Sequence, residues 1–161
     1  MGSLDILVNN AGVFLERSVV ETEPEEFDWV LAVNLRAPFV WSRAVIPYFR
    51  ERGSGLILNI SSQAGRRAYP LQGAYCASKH GLQGLTRVLA WEMREWGGRA
   101  SCLCPGGVDT DLLEGVHEYA DKSQYMRPED IAEAAIYLAT LPPRAAVDEI
   151  AIRRYAAQPV P

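Results

Sequence analysis

The sequence predicts an α/β domain built on a mainly parallel sheet. Four apolar runs of strand length recur along the chain, and the segments between them are long enough for a helix, most with helical periodicity. Parallel strands need such long crossovers, which are right-handed, whereas antiparallel strands can be joined by tight turns. A chain of 161 residues is long enough for one compact domain, so we expect a single domain over residues 1–161.

The predicted strands are short apolar runs that end at turn-forming residues. They cover residues 4–8, 56–60, 100–104 and 149–152. The first run stops at the pair Asn9-Asn10, which is typical of a buried strand that feeds a tight turn.

The first predicted helix starts at Thr22 and runs to about residue 52. Thr22 and Glu25 have the spacing of a capping box, and Gly53 is a typical helix stop. Because proline removes a hydrogen-bond donor and crowds the preceding turn, Pro38 and Pro47 predict a bend or a break.

Two further helices follow at about 74–96 and from Pro128 to before the pair Pro142-Pro143. Between the third strand and the last helix lies a long segment of uncertain structure, 106–126. Its acidic residues are Asp109, Asp111, Glu114, Glu118 and Asp121. Ligands of open α/β sheets bind outside the carboxyl ends of the strands, so we expect this segment to be a lid.

Composition and charge favour a soluble, cytoplasmic protein. The chain is 48% hydrophobic with a formal net charge of −4; it has no apolar run long enough to span a membrane and no secretory signal pattern. The scattered basic residues argue against nucleic acid and anionic membranes as partners. Cys76, Cys102 and Cys104 lack a CxxC pair, so we expect buried core thiols and no disulfide or metal site.

The stretch AYCASKHG, residues 74–81, is the first that suggests chemistry. Tyr75 and Lys79 lie four apart on a predicted helix, so their side chains leave from one face. An ammonium about 5 Å from a phenolate oxygen, at an effective dielectric of about 20, stabilises the anion by about 3 kcal/mol, or about two pKa units. The pair could then act as a general acid or base, although an ordinary surface helix has the same spacing.

A second chemical signal lies upstream in NISSQAG, residues 59–65, where a predicted strand ends. A serine hydroxyl there could donate a hydrogen bond to a substrate carbonyl and polarise it. Ser61 and Ser62 are equally typical of a turn or helix cap, and we expect one of the two to be only that.

Five motifs together resemble the short-chain dehydrogenase/reductase family. They are LVNNAG at 7–12, VNL at 33–35, NISSQAG at 59–65, Tyr75-x-x-x-Lys79 and PGGVDT at 105–110, in the order and spacing of that family. The resemblance implies a Rossmann-type three-layer αβα fold. It also implies hydride transfer between NAD or NADP and an alcohol or carbonyl compound.

The resemblance also implies roles for individual residues. Tyr75 would be the acid-base group, Lys79 would lower its pKa and hold the nicotinamide ribose, and Ser62 would orient the carbonyl. Asn34 is similar to the family asparagine that holds a water in a proton relay; a buried, helix-bending amide is a compatible interpretation.

Two further segments resemble the family's cofactor-binding turns. Asn9, Ala11 and Gly12 would pack beside the adenosine ribose. The segment that fixes the nicotinamide carboxamide would contain Pro105, Gly106, Val108 and Thr110.

In the family the strand at 4–8 is the fourth, after three βα units that carry the glycine-rich phosphate turn. No such turn follows a strand in this sequence, so we expect the fold to lack those units and NAD or NADP to bind weakly. The strand at 4–8 would then form an open, apolar edge of the sheet, which favours aggregation unless something covers it. Three interpretations remain open: an incomplete record of a full reductase, a half that pairs with another polypeptide or with itself, and an inactive remnant or subunit-interaction module. The helices at 28–50 and 75–96 resemble the family's dimer interface, which predicts a homo-oligomer.

Overall fold

The computed structural model describes residues 3–113 and 122–159 and contains one parallel sheet. Its strands are β1 (Ile6–Asn9), β2 (Gly55–Ile60), β3 (Gly98–Pro105) and β4 (Glu149–Ile152). They lie in the order β1-β2-β3-β4, and each neighbouring pair is parallel. All four predicted strands are therefore confirmed, with bounds that differ by at most two residues.

The helices are α1 (Pro24–Leu31), α2 (Ala37–Arg52), α3 (Gly73–Arg94) and α4 (Pro128–Ala139). A π-helical turn, Ala32–Arg36, joins α1 to α2, so the predicted first helix is continuous but contains one wide turn. Pro38 lies just after the π turn, and Pro47 lies inside α2. Neither proline breaks the helix, so the predicted break is absent at both positions, and the irregularity that the structure shows is the π turn ahead of Pro38.

The start of α1 differs by one residue from the predicted capping box. The cap is Glu23, not Thr22, and its backbone N–H donates to the Glu26 carboxylate at 3.0 Å, so the partner is not Glu25. Pro24 explains the shift, because its fixed φ suits the first helical position and makes the preceding residue the cap.

Helices cover both faces of the sheet, as a three-layer αβα fold requires. Neighbouring residues of a strand point to opposite faces, and Ile57 and Leu58 enter separate cores. Ile57 packs with Phe49 and Met93 beneath α2 and α3. On the other face, Leu58 packs with Leu103 and with Leu138 of α4.

The first strand lies at one edge of the sheet. In the part of the chain that the structure describes, β1 pairs with β2 alone. Leu4, Ile6 and Val8 are exposed there, which agrees with the predicted apolar edge.

The predicted lid is described only in part. Of its five acidic residues, Glu114, Glu118 and Asp121 lie outside the described residues. Asp111 begins a short 3-10 turn, and Val108 forms a bridge with Met126 that closes the base of the segment. No helix among residues 3–113 and 122–159 is both long and apolar enough to cross a membrane.

Candidate active site

A cavity of about 680 Å³ opens at the carboxyl ends of the strands. It brings together most of the residues that the sequence singled out. Those that line it are Ala11, Gly12, Ser62, Tyr75, Lys79, Pro105, Gly106, Val108 and Thr110. The side chains of Asn9 and Asn34 are buried and do not line the cavity.

Tyr75 and Lys79 lie in the first two turns of α3 and face the same side, as their spacing predicts. The Lys79 Nζ lies 5.7 Å from the centroid of the Tyr75 ring. Phe14 packs edge-on against the same ring, with 4.9 Å between centroids. Both side chains are buried in the wall of the cavity, so their charges interact in a medium of lower dielectric than water.

The Lys79 ammonium is held at the end of β2, where its Nζ donates to the Ile60 carbonyl at 2.9 Å. The residue is only 4% exposed. Burial lowers the pKa of Lys79 from 10.5 to about 8, and the nearby Cys102 and Cys104 thiols oppose this shift. At pH 7 the group therefore still carries its charge, at a cost to the folded state.

The two serines of NISSQAG differ in how their hydroxyl protons are used. Ser61 is buried and donates to the Lys79 backbone carbonyl at 3.2 Å. The Ser62 Oγ accepts from the Ala64 N–H at 3.1 Å and so caps the 3-10 turn Gln63–Gly65. No hydrogen bond among the described residues uses Ser62 as a donor, so its proton can be offered to a ligand. Both serines therefore make structural contacts, and the Ser61 proton is used by the Lys79 carbonyl, which makes Ser62 the stronger candidate for a carbonyl donor.

Asn34 is fully buried at the centre of the π turn. Its Oδ1 accepts from the Val13 N–H at 2.8 Å, and its Nδ2 donates to the Val13 carbonyl at 2.9 Å. A Cβ added to Gly12 would lie 3.6 Å from both Asn34 Oδ1 and Lys79 Nζ. The buried-amide interpretation is thus correct, and the water relay stays a prediction.

Asn9 belongs to a buried hydrogen-bond network that the sequence analysis missed. Its Nδ2 donates to Asn59 Oδ1 at 2.7 Å, and Asn59 Nδ2 donates to Thr86 Oγ1 at 2.8 Å. The sequence shows Asn9 directly after one apolar run and Asn59 next to the last residue of another, but only the observed register pairs them. This hydrogen-bond network ties β1 and β2 to α3 and positions the turn that leads to Gly12.

Gln63 is a second residue of the site that sequence reasoning missed. Its Nε2 donates to the Cys104 carbonyl at 3.0 Å, which fixes the loop after β2 to the end of β3. Its Oε1 is buried and makes no hydrogen bond within the described residues. Side-chain amides after a serine pair are common in turns, so no pattern marked this one.

The three cysteines are free and buried, as expected of core thiols. The Cys104 and Cys102 sulfurs lie 3.9 Å apart. The hydrogen bond with Cys102 and burial raise the pKa of the Cys104 thiol, which keeps it protonated near neutral pH. Across residues 3–113 and 122–159, no group of three or more His, Cys, Asp or Glu side chains could hold a metal ion.

Comparisons with known proteins identify the family to which this fold belongs. The family model described as short chain dehydrogenase matches residues 1–121. D-beta-hydroxybutyrate dehydrogenase of Rhizobium meliloti is 43% identical over 113 residues, covering 70% of this chain and 44% of that protein. The 3-oxoacyl-[acyl-carrier-protein] reductase FabG of Rickettsia bellii is 37% identical over 145 residues, with 85% and 60% covered.

Solved structures give the same result for the fold. A 4-hydroxyisoleucine dehydrogenase mutant complexed with NADH and succinate has a TM-score of 0.86 at 32% identity, with 95% of this chain and 68% of that chain covered. The 3-ketoacyl-(acyl-carrier-protein) reductase from Brucella melitensis, complexed with NADH, has a TM-score of 0.87 at 31% identity, with 96% and 67% covered. The chain spans about half the length of the curated relatives it matches. By both sequence and fold, the chain belongs to the short-chain dehydrogenase family.

Proposed function

We propose that this chain carries the catalytic part of an oxidoreductase that transfers a hydride between NAD or NADP and an alcohol or carbonyl compound. One observation carries the proposal: Ser62, Tyr75 and Lys79 converge on a single cavity at the carboxyl ends of the strands. Membership of the family supports it.

In the direction of reduction, Tyr75 gives its phenolic proton to the carbonyl oxygen while a hydride reaches the carbonyl carbon. The product is an alcohol, and the tyrosine is left as a phenolate. The buried Lys79 ammonium stabilises that anion, by about 3 kcal/mol at a separation of about 5 Å and an effective dielectric of about 20. Oxidation of an alcohol runs the same steps in reverse, with Tyr75 as the base.

Ser62 orients the carbonyl before the proton moves. Its oxygen accepts from the Ala64 N–H, and the hydroxyl proton can rotate toward a ligand. A hydrogen bond from Ser62 to the carbonyl oxygen stabilises the negative charge that develops there.

The nicotinamide end of a dinucleotide fits the residues on this wall. Gly12 adds no side chain beside the Lys79 ammonium, which lines the cavity, and a ribose offers hydroxyls that suit this polar partner. The segment 105–110 lines the cavity beside them and supplies backbone donors and acceptors for a carboxamide. A bound nicotinamide would supply or accept the hydride.

We also expect this chain by itself to bind NADH and NADPH weakly. A dinucleotide pyrophosphate is normally held at a helix N-terminus behind a glycine-rich turn, and the sequence contains no such turn after a strand. Isothermal titration of the chain with each cofactor tests this. A micromolar dissociation constant would show that the expectation is wrong.

Replacing Tyr75 with Phe tests the catalytic role. The change removes only the hydroxyl, so hydride transfer should fall by about 10²- to 10⁴-fold with the fold intact by circular dichroism. Tyr48→Phe, on the exposed face of α2, is the matched control and should keep full activity. Equal activity of Tyr75→Phe and the unsubstituted chain would refute the proposal.

A second candidate function is a subunit-interaction module, either alone or beside catalysis. Exposed aromatic side chains favour it, since Phe39, Trp41 and Tyr48 of α2 and Trp91 of α3 all lie largely in solvent. The surfaces belong to residues 28–50 and 75–96, and a second copy of this chain is the partner we expect. Tyr75→Phe separates the two functions, because it should abolish activity and leave association unchanged.

A further inference from the structure

The described wall of the cavity is charged with one sign only. Arg67, Lys79, Arg153 and Arg154 line it, and no Asp or Glu of the described residues does. The chain as a whole has the opposite balance, with 20 acidic and 16 basic residues. A cleft lined by one sign of charge concentrates ligands of the other sign, so the cavity favours anions.

Arg67 is presented to the cavity from the loop after β2. Its guanidinium stacks over the Tyr69 ring at 4.7 Å from the centroid, and its Nε donates to the Tyr69 hydroxyl at 2.6 Å. These contacts leave the two terminal nitrogens for a ligand. The neighbouring Arg66 is instead paired with Glu149 at 2.6 Å and does not line the cavity.

Arg154 is presented from the opposite side, directly after β4. Its guanidinium stacks over the Tyr125 ring at 4.6 Å from the centroid, and a Cβ added to Gly107 would lie 3.2 Å from its Cδ. The adjacent Arg153 donates to the Tyr155 and Ala157 carbonyls, which ties down the chain after β4. Arg154 has no carboxylate partner among the described residues.

These two arginines follow different strands of the sheet. Arg67 follows β2, as Ser62 does, and Arg154 follows β4, with β3 between the two strands. A guanidinium packed over an aromatic ring has less freedom of orientation, and its N–H fork suits recognition of a carboxylate or phosphate group.

We propose that the cavity takes small carbonyl or hydroxyl compounds that carry an anionic group, and that Arg67 and Arg154 bind that group. This inference rests on the proposed function for the reacting carbon, which would lie beside Ser62 and Tyr75. It adds the substrate class and the two residues that set it.

Binding measurements test the charge preference without relying on turnover. The chain is titrated with levulinate, a stable keto acid, and with its neutral methyl ester, both without cofactor, and binding is followed by protein NMR. Arg67→Gln and Arg154→Gln should each weaken levulinate at least tenfold and leave the ester unchanged. Arg94→Gln is the matched control, since Arg94 stacks on Trp91 at 4.6 Å outside the cavity.

Inorganic phosphate and pyrophosphate distinguish the possible sources of the anion. If the arginines bind the anionic group of the substrate, phosphate should compete with levulinate in the unsubstituted chain. This competition should be lost in Arg67→Gln and Arg154→Gln. If pyrophosphate alone binds through the arginines, they serve the cofactor and the proposal is wrong. An ester that binds as tightly as the acid, or an unsubstituted chain that binds no levulinate, would also overturn it. Because Tyr75→Phe should keep levulinate binding, failure of the catalytic proposal is seen separately.

Discussion

At the scale of single residues, the buried ammonium of Lys79 lowers the stability of the folded chain. Its pKa of about 8 in the folded chain against 10.5 for the free side chain corresponds to about 3 kcal/mol at pH 7. Lys79→Met removes this penalty but leaves the Ile60 carbonyl without its donor, at about 1 kcal/mol. We therefore expect the variant to be more stable by about 2 kcal/mol at pH 7, and inactive, as urea unfolding and assays would show.

The pH dependence gives this prediction its sign. Below pH 8 the lysine is charged in both states, so the penalty is complete. Between pH 8 and 10.5 the folded state has lost the proton that the unfolded state still binds, so the stability of the unsubstituted chain rises with pH. The advantage of Lys79→Met should shrink over that window; an advantage that stays constant from pH 7 to 10 would contradict the argument.

Residue by residue, the sequence was most informative where chemistry depends on spacing. Tyr75 and Lys79 share a helix face because they are four residues apart. Ser62 follows the end of β2, and all three side chains line the cavity. Contacts that depend on the tertiary fold could not be predicted. Arg154, for example, meets Tyr125 only because the segment before α4 folds back over the end of β4.

At the scale of elements, the junction between α2 and β2 depends on one backbone conformation. Gly53 has φ +65 and ends α2 in the left-handed region, which an L-residue adopts at a cost of about 1 kcal/mol. An added Cβ would have room, with its nearest contact at 3.8 Å. Gly53→Ala should therefore destabilise the chain by about 1 kcal/mol through conformation alone.

A matched substitution separates conformation from space at this junction. Asparagine tolerates the left-handed region better than alanine, so Gly53→Asn should lose less stability than Gly53→Ala in urea unfolding. If crowding were the cause, the larger asparagine would lower the free energy of unfolding more than alanine does. That result would exclude the conformational explanation.

Element boundaries followed from the sequence wherever a local rule decides them. Gly53 stopped α2 as predicted, and proline at the first position of α1 and α4 marks their starts. The π turn at Ala32–Arg36 was not predictable in form, because it accommodates the tertiary hydrogen bonds between Asn34 and Val13. The local sequence pattern indicates that such a helix is irregular, but a partner distant in sequence determines which form the irregularity takes.

At the scale of the whole molecule, alternation of strands and helices sufficed to predict the mainly parallel sheet with its right-handed crossovers. The three layers and the open edge at β1 were implied by the family resemblance, and the order of the strands was not predicted. The exposed apolar side chains of the helices were harder to predict. Periodicity shows that one face of a helix is apolar, but it does not show whether the opposite face is apolar too.

The outer layer formed by α2 and α3 carries the last prediction. Three of the four tryptophans are exposed, among them Trp41 at 60% and Trp91 at 68%. Buried aromatic side chains of about 150–250 Å² each could supply much of an interface of about 800 Å² per partner. We therefore expect the chain to dimerise through this layer, and Trp41→Glu with Trp91→Glu to give monomers in analytical ultracentrifugation. Val20→Glu, 93% exposed ahead of α1, should leave the dimer intact; a double variant that still dimerises would place the interface elsewhere.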